Sequence, residues 1–197
     1  SSMRAALDWG DGSSTVSLSG SGYKTNTHTY STTGHKIIII NATAGTVRIG
    51  GGTSYRLYGS GTDTLNGVLR TYIQWIIVGN RTQVSGTYGL YYAVGLQEVR
   101  FYTSYSSQTS VANYFFNYCY SLKKITFSSY ITSLGENAFA SCYCLEEIEL
   151  PPNLTTISAS CFANCTMLQH ITIPSKVTTI GASAFNNSYA ISKIRFE

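Results

Sequence analysis

The sequence predicts a mainly β chain in which a small β-sandwich is followed by a right-handed solenoid of 23-residue coils with short helical turns. Two observations lead to this prediction. Segments with the same length and the same apolar pattern recur through the second half of the chain, whereas the first part has no such period and alternates short β-rich runs with turn residues. We therefore divide the chain into a sandwich module (1–48), a linker or degenerate capping coil (49–72) and a repeat domain (73–197).

The repeat domain consists of copies that begin at equivalent aliphatic residues. Most starts are equally spaced, and a Ser/Tyr-rich insertion lengthens the one copy that runs from Leu96 to the next start. Because a single copy is too small to bury its apolar face, the copies have to stack against one another. The copies begin at Ile73, Leu96, Leu122, Leu145, Leu168 and Ile191.

Each copy predicts one short strand and one turn of helix. Ile148 and Leu150 alternate with polar neighbours, which is the pattern of a strand with one buried face. The pair 161–162, Cys-Phe, precedes small residues and predicts a helical turn whose aromatic ring fills the core. Since stacked coils pair their strands in parallel, we expect Ile148 to lie in one ladder with Ile171 and Ile194.

Composition argues against two classes of partner. Charged residues make up 11% of the chain, and the formal net charge of +4 is spread along it without a Lys/Arg cluster. Such a chain is not expected to bind nucleic acid. Apolar runs such as Ile37–Ile40 are far shorter than the roughly 18 residues of a membrane span. We therefore expect no membrane-spanning segment.

Two sequence patterns resemble known families. The string LxxIxLPxxLTxIxxxxFxNC, intact over Leu145–Cys165, resembles the BspA-type leucine-rich repeat of bacterial surface proteins. The segments WGDGS from Trp9 and HTYSTTG from His28 resemble pieces of PKD-like β-sandwich domains, although His-Lys at 35–36 stands where that family has Thr-Tyr.

These resemblances imply a secreted or cell-surface bacterial protein that binds a protein ligand. The leucine-rich repeats would serve adhesion or other protein contacts, and the PKD-like module would act as a spacer. Neither family contributes a catalytic residue. Two alternatives stay open, namely a carbohydrate-binding accessory module and a structural spacer in a larger surface or fibre protein.

The cysteines are interpreted as structural residues. Cys119, Cys142 and Cys165 take the same position in successive copies, where the next copy has Ser188. Such a column could bind a soft metal or form a disulfide. A small, slightly polar side chain also suits a buried corner, however, and Ser replaces Cys there without breaking the repeat. We predict no metal site and no cofactor.

Catalysis is not expected from this chain. Its three histidines fall at unrelated positions of the two segments, and no GxSxG-type turn presents a nucleophile. We therefore predict that the protein is not an enzyme. The histidines are His28, His35 and His170.

The outward strand positions of the copies form one candidate binding surface. Acids and bases alternate there from copy to copy, so that neighbouring rungs of the sheet would neutralise one another. This strand face is either a binding surface or merely a solvated one. Its candidate residues are Arg100, Lys124, Glu147, Glu149 and His170.

The Ser/Tyr-rich insertion forms a second candidate surface. Tyr and Ser are typical of versatile contact loops, although tyrosines also pack along solenoid flanks. Its candidate residues are Tyr102, Tyr105, Tyr114, Tyr118 and Tyr120. In the first copy, Trp75 and Ile77 take the outward strand positions, and we expect the N-terminal module or the segment 46–72 to pack over them.

Overall fold

Short strands joined by tight turns build the protein. The computed structural model describes residues 3–8, 14, 16–20, 36–44, 47–49, 73–78, 82–84, 87–101 and 109–197. The strands in these residues are β1 (Met3–Asp8), β2 (Val16–Gly20), β3 (Lys36–Ala44), β4 (Val47–Ile49), β5 (Ile73–Val78), β6 (Thr82–Val84), β7 (Glu98–Phe101), β8 (Ser110–Val111), β9 (Lys124–Thr126), β10 (Ser133–Leu134), β11 (Glu147–Glu149), β12 (Thr156–Ile157), β13 (His170–Ile173), β14 (Thr179–Ile180) and β15 (Lys193–Phe196).

The stacked coils pair through two series of parallel strands. One series contains β5, β7 and β9, followed by β11, β13 and β15, and the other contains β8, β10, β12 and β14. Within each sheet a strand pairs with the equivalent residues of the next coil, so that Ile171 lies between Ile148 and Ile194, whereas β9 and β11 belong to separate sheets. The predicted ladder is confirmed, and the repeat domain is a β solenoid.

The described strands that precede the repeat domain join this arrangement. β1 pairs antiparallel with both β2 and β3, and β3 pairs parallel with β5, in a six-stranded sheet of order β2-β1-β3-β5-β7-β9. β4 pairs parallel with β6. β3 and β4 therefore pair with the following strands as later coils pair with each other. Among the described strands, the predicted PKD-like sandwich is not visible.

The two residues expected to meet the N-terminal segment, Trp75 and Ile77, lie in β5. Their pairing partners in β3 are Ile37 and Ile39. The N-terminal segment thus adjoins the first repeat strand edge to edge and continues its sheet. The side chains of Trp75 and Ile77 are outside what the structure describes, so the packing of other residues over them stays a prediction.

The core is a continuous column of side chains along the stacked coils. The first residues of four copies are fully buried: Leu96, Leu122, Leu145 and Leu168. Phenylalanine rings stack beside them with centroids 5.1 Å (Phe116 and Phe139), 5.4 Å (Phe139 and Phe162) and 5.6 Å (Phe162 and Phe185) apart. Because ring packing continues from one coil to the next, each coil supplies part of the core of its neighbours.

Burial of a given position depends on having a coil on both sides. Ile171, whose strand lies between two others, is 2% exposed, whereas the equivalent Ile194 in β15 is 44% exposed. The two residues share the same side chain and the same strand position. The neighbouring coil, and not the coil itself, therefore completes the burial of each repeat.

The turn that carries each core phenylalanine is not helical, contrary to the prediction. The Phe139 N–H donates to the Cys161 carbonyl of the next coil (2.9 Å), whereas the Ala140 N–H donates to the Asn137 carbonyl of its own coil (3.2 Å). Asn137 and Ser141 have φ of 52° and 62°, which is left-handed backbone. Because alternate amides bond to the neighbouring coil, no helix forms among the described residues.

Candidate binding surfaces

The candidate residues of the strand face lie on the exposed side of the first strand series. Arg100, Lys124, Glu147, Glu149 and His170 are all exposed. The register places Glu98 opposite Lys124, and His170 between Glu147 and Lys193. Acids and bases therefore do alternate along this face, while its role in binding stays a prediction.

Neutralisation on this face also occurs within a single strand. Glu98 Oε1 accepts a hydrogen bond from Arg100 Nε at 2.8 Å, within the same strand β7. The Arg100 side chain is 44% exposed, so that water screens the pair. Exposed pairs of this kind contribute about 0–1 kcal/mol, which favours a solvated face over a strongly attracting one.

Seven tyrosines form a second, continuous surface in the turns of three coils, which we call the tyrosine ridge. Two stacked pairs lie within it, Tyr88 against Tyr114 (4.9 Å between centroids) and Tyr120 against Tyr143 (5.0 Å). Tyr118 joins these pairs, because its ring meets the Tyr91 ring edge-on at 5.5 Å and the Tyr120 ring at 5.9 Å. The ridge consists of Tyr88, Tyr91, Tyr92, Tyr114, Tyr118, Tyr120 and Tyr143.

The ridge reaches solvent and is neutral. Tyr92 and Tyr143 are 37% and 41% exposed, and the other five members are half-buried. The Tyr120 hydroxyl donates to the Tyr92 hydroxyl over 3.5 Å, and this contact, followed by partial burial, raises the pKa of Tyr120. The ridge therefore offers aromatic carbon and hydroxyl groups at neutral pH.

Four members of the ridge have left-handed backbone. Each coil places two residues, four positions apart, at positive φ. In the later coils these residues are always Asn or Ser, namely Asn137, Ser141, Ser160, Asn164, Ser183 and Asn187. In the first two coils they are all tyrosines, Tyr88 (φ 66°), Tyr92 (63°), Tyr114 (58°) and Tyr118 (61°). Bulky side chains rarely adopt this conformation, and such outliers cluster at functional sites.

Sequence reasoning identified part of the ridge. The structure brings together the candidates Tyr114, Tyr118 and Tyr120, whereas Tyr102 and Tyr105 fall outside the described residues. The members that the sequence analysis missed are Tyr88, Tyr91, Tyr92 and Tyr143. A signal for two of them exists, because Tyr88 and Tyr92 precede Tyr114 and Tyr118 by the length of the one stretched copy.

The cysteine column is a set of coil-to-coil hydrogen bonds. Each Sγ donates to a carbonyl of the preceding coil, from Cys119 to Leu90 (3.2 Å) and from Cys142 to Phe116 (3.3 Å). Ser188 Oγ makes the equivalent bond to Phe162 at 2.7 Å. Burial raises the pKa of the Cys119 thiol to about 12, so that this side chain stays a neutral donor. This geometry supports the structural interpretation.

Metal-ligating side chains do not converge in the part of the chain that the structure describes. No three of its His, Cys, Asp and Glu residues are grouped so that they could hold a metal ion. In the same residues, no helix has the length and apolar character needed to cross a bilayer.

The repeat pattern decides the family. The BspA type leucine-rich repeat region matches residues 83–197 in six copies, which is more than half of the chain. The chain belongs to the BspA-type leucine-rich repeat family. The stacked BspA-type coils thus account for both the parallel strand series and the phenylalanine column. No curated protein shows significant similarity to the chain.

Solved structures of bacterial leucine-rich repeat proteins are similar to this chain. A leucine-rich repeat protein from Bacteroides ovatus is 25% identical with a TM-score of 0.58, over 75% of this chain and 36% of that protein. One from Eubacterium ventriosum is 26% identical with a TM-score of 0.57, over 73% and 34%. The T. pallidum leucine-rich repeat protein is 22% identical with a TM-score of 0.52, over 80% and 63%. The chain therefore spans about a third of the length of the first two.

Proposed function

We propose that this chain is a non-catalytic binding module of a secreted or cell-surface bacterial protein, and that it mediates adhesion through contacts with another protein. Leucine-rich repeat proteins generally mediate protein–protein interaction or adhesion and are typically binding scaffolds without enzymatic activity. The proposed location at the bacterial surface also rests on membership of this family.

The tyrosine ridge is the observation that carries the proposal. Tyrosine combines a large contact area with few rotatable bonds, and for this reason it dominates many protein-binding surfaces. The ridge gathers seven such side chains on one side of the solenoid. On the strand face, by contrast, exposed acids and bases lie next to one another and offset each other's fields. We therefore place the contact surface at Tyr114, Tyr118 and Tyr120 and their ring neighbours.

The N-terminal segment is proposed to position this surface. Its resemblance to PKD-like domains supports a spacer role for residues 1–48. The pairing of β3 with β5 supports a direct attachment of this spacer to the first coil.

A carbohydrate-binding module is the second candidate. Aromatic rings exposed at Tyr92 and Tyr143 favour it, because sugars also pack against aromatic side chains. The third candidate, a structural spacer, predicts no binding to cells of any kind.

An attachment assay separates the three candidates. Beads coated with the chain are applied to cultured epithelial cells and to bacterial cells of another species, with soluble chain as competitor. Competed attachment that disappears after protease treatment of the cells supports a protein partner, whereas loss after glycosidase treatment alone supports the glycan. Attachment no better than that of bare beads on all cells supports the spacer and contradicts our proposal.

A matched pair of variants links attachment to the ridge. Tyr92→Asn combined with Tyr118→Asn alters two ridge members at positions where other coils hold Asn or Ser. Tyr189→Asn alters an 82% exposed tyrosine outside the ridge. We expect the double variant to lose attachment and the control to keep it.

A further inference from the structure

We propose that the tyrosine ridge binds proline-rich segments in the polyproline II conformation. This inference rests on the proposed binding function and names the chemistry of the partner. It follows from three properties of the ridge, namely its backbone conformation, its neutral hydroxylated chemistry and its spacing along the solenoid.

The backbone conformation does not require tyrosine at these positions. At the same turn positions, Asn164 and Asn187 adopt φ of 59° and 58°, and Asn tolerates left-handed backbone better than any bulky residue. Tyr92 and Tyr118 hold almost the same angles, 63° and 61°, with a less suitable side chain. The rings and hydroxyls that these residues present are therefore what distinguishes the first two coils, as expected of a binding site.

The chemistry of the ridge selects a ligand that is uncharged and accepts hydrogen bonds. All seven side chains are neutral phenols, so they lack the guanidinium or ammonium groups that recognise phosphate or carboxylate. A sugar presents many hydroxyls, which would be left partly unpaired against aromatic carbon. A proline-rich segment presents apolar rings and carbonyl acceptors but few N–H donors, and the phenol hydroxyls of Tyr114, Tyr118 and Tyr143 can donate to those carbonyls.

The spacing of the coils matches the repeat of a polyproline II helix. Tyr88 and Tyr114 stack at 4.9 Å and Tyr120 and Tyr143 at 5.0 Å, which is one coil step in each case. The ridge covers three coils, and two steps span about 10 Å. A polyproline II helix repeats every three residues at about 3.1 Å each, or about 9 Å per turn. A segment that crosses the three coils thus presents an equivalent residue to the first and to the third, while the two stacked pairs belong to different columns of the ridge. Aromatic surfaces that bind such segments are a recurrent mode of peptide recognition.

The test is a calorimetric titration of the whole chain with three probes. Decaproline is the polyproline II probe, a decapeptide of alternating Gly and Ser is the flexible uncharged control, and chitohexaose is the glycan control. We expect saturable binding of decaproline and none of the other two. Absence of decaproline binding, or binding of chitohexaose in its place, overturns the inference.

Variants locate the binding. Tyr92→Asn with Tyr118→Asn should weaken decaproline binding at least about tenfold, whereas Tyr189→Asn should not change it. Circular dichroism checks that each variant is folded. Should the double variant unfold, Tyr118→Phe keeps the ring, removes one hydroxyl and is expected to weaken binding by a smaller factor, about threefold. Equal binding by wild type and the Tyr118→Phe and double variants contradicts a site on the ridge.

The attachment assay distinguishes this inference from the function on which it rests. A chain that attaches to cells through protein but ignores decaproline retains the proposed function and loses the polyproline II ligand. A chain that does neither loses both.

Discussion

The first two coils and the later three have the same backbone conformation in their turns and differ in the side chains at the left-handed positions. Both groups repeat a pair of left-handed residues in every turn, but the first group uses tyrosine where the second uses Asn or Ser. The later coils show which residues suit this conformation at low cost. Left-handed backbone costs a tyrosine about 1–2 kcal/mol per residue, and the backbone conformation does not require that residue type. The comparison of the two groups therefore distinguishes residues that the fold requires from residues that give the surface its character.

The largest expected effect tests the part that both groups have in common, the phenylalanine column. Phe139 is fully buried between the rings of Phe116 and Phe162. We expect Phe139→Ala to lower the free energy of unfolding by about 3–5 kcal/mol, because it leaves a cavity shared by adjacent coils. Urea denaturation measures this loss. Tyr189→Ala, at an exposed site, should change stability by less than about 0.5 kcal/mol. A similar small loss for Phe139→Ala would mean that the coils do not pack as one core.

A smaller loss is expected at a glycine where two coils approach closely. A Cβ added at Gly181 would lie 2.4 Å from the Ala159 backbone nitrogen of the preceding coil. Gly181→Ala should therefore cost about 1–3 kcal/mol, since the coils have to move apart. Ser158→Ala is the matched control, at the equivalent position one coil earlier, where a Cβ is already accommodated. Thermal melting of the two variants should differ clearly, and equal melting temperatures would show that the coils separate freely.

The cysteine column predicts a dependence on alkaline pH. Burial raises the pKa of the Cys119 thiol from 9.0 to about 12. The thiol therefore contributes its full stabilisation below pH 9, and this is lost as the pH rises towards 12, because only the unfolded chain ionises. Cys119→Ser should reduce the fall in stability by about 1.4 kcal/mol per pH unit over that window. Unfolding curves at several pH values measure the slope. The reverse change, Ser188→Cys, should make the slope of the unfolding free energy against pH steeper. If the slope of Cys119→Ser equals that of the wild type, the Cys119 thiol does not cause this pH dependence.

The smallest expected effect isolates the cost of the left-handed tyrosines. Tyr118 and Tyr120 each contact three other tyrosine rings, but only Tyr118 has positive φ. Replacing either by Asn removes similar ring contacts, while Tyr120→Asn also removes the hydroxyl contact with Tyr92 and Tyr118→Asn releases backbone strain. We expect Tyr118→Asn to be about 1 kcal/mol less destabilising than Tyr120→Asn in urea unfolding. If Tyr118→Asn is the more damaging of the two, the tyrosines are not strained.

The period of the apolar residues predicted the solenoid because it records contacts that recur in every coil. Ile148, Ile171 and Ile194 fall in one ladder for the same reason that they are equally spaced along the chain. The turn that carries each core phenylalanine differs from the predicted helical turn. The prediction arose because the apolar spacing of this turn also fits a helix. What prevents the helix is the Cys161 carbonyl, which accepts from the Phe139 amide. That carbonyl belongs to the next coil, so it leaves no trace in the local sequence.

The ridge and the N-terminal pairing were harder to predict for different reasons. Tyrosine is not associated with left-handed backbone, so Tyr88 and Tyr92 do not by themselves predict a turn. Their alignment by repeat with Asn137 and Ser141, which are typical of such turns, would predict one. The run Ile37–Ile40 predicts a buried strand but does not indicate which strand it pairs with. Its pairing with β5 depends on a neighbour that lies outside the run itself.

The hydrogen bonds between coils point along the solenoid axis, and this direction determines how the molecule responds to force. Tension applied between the two ends of the stack loads these bonds in series, so that every interface bears the full pull. Strands pulled apart in this way separate one coil at a time, and every separated coil lengthens the tether. A protein that anchors one cell to another under flow would thereby yield gradually instead of detaching at once.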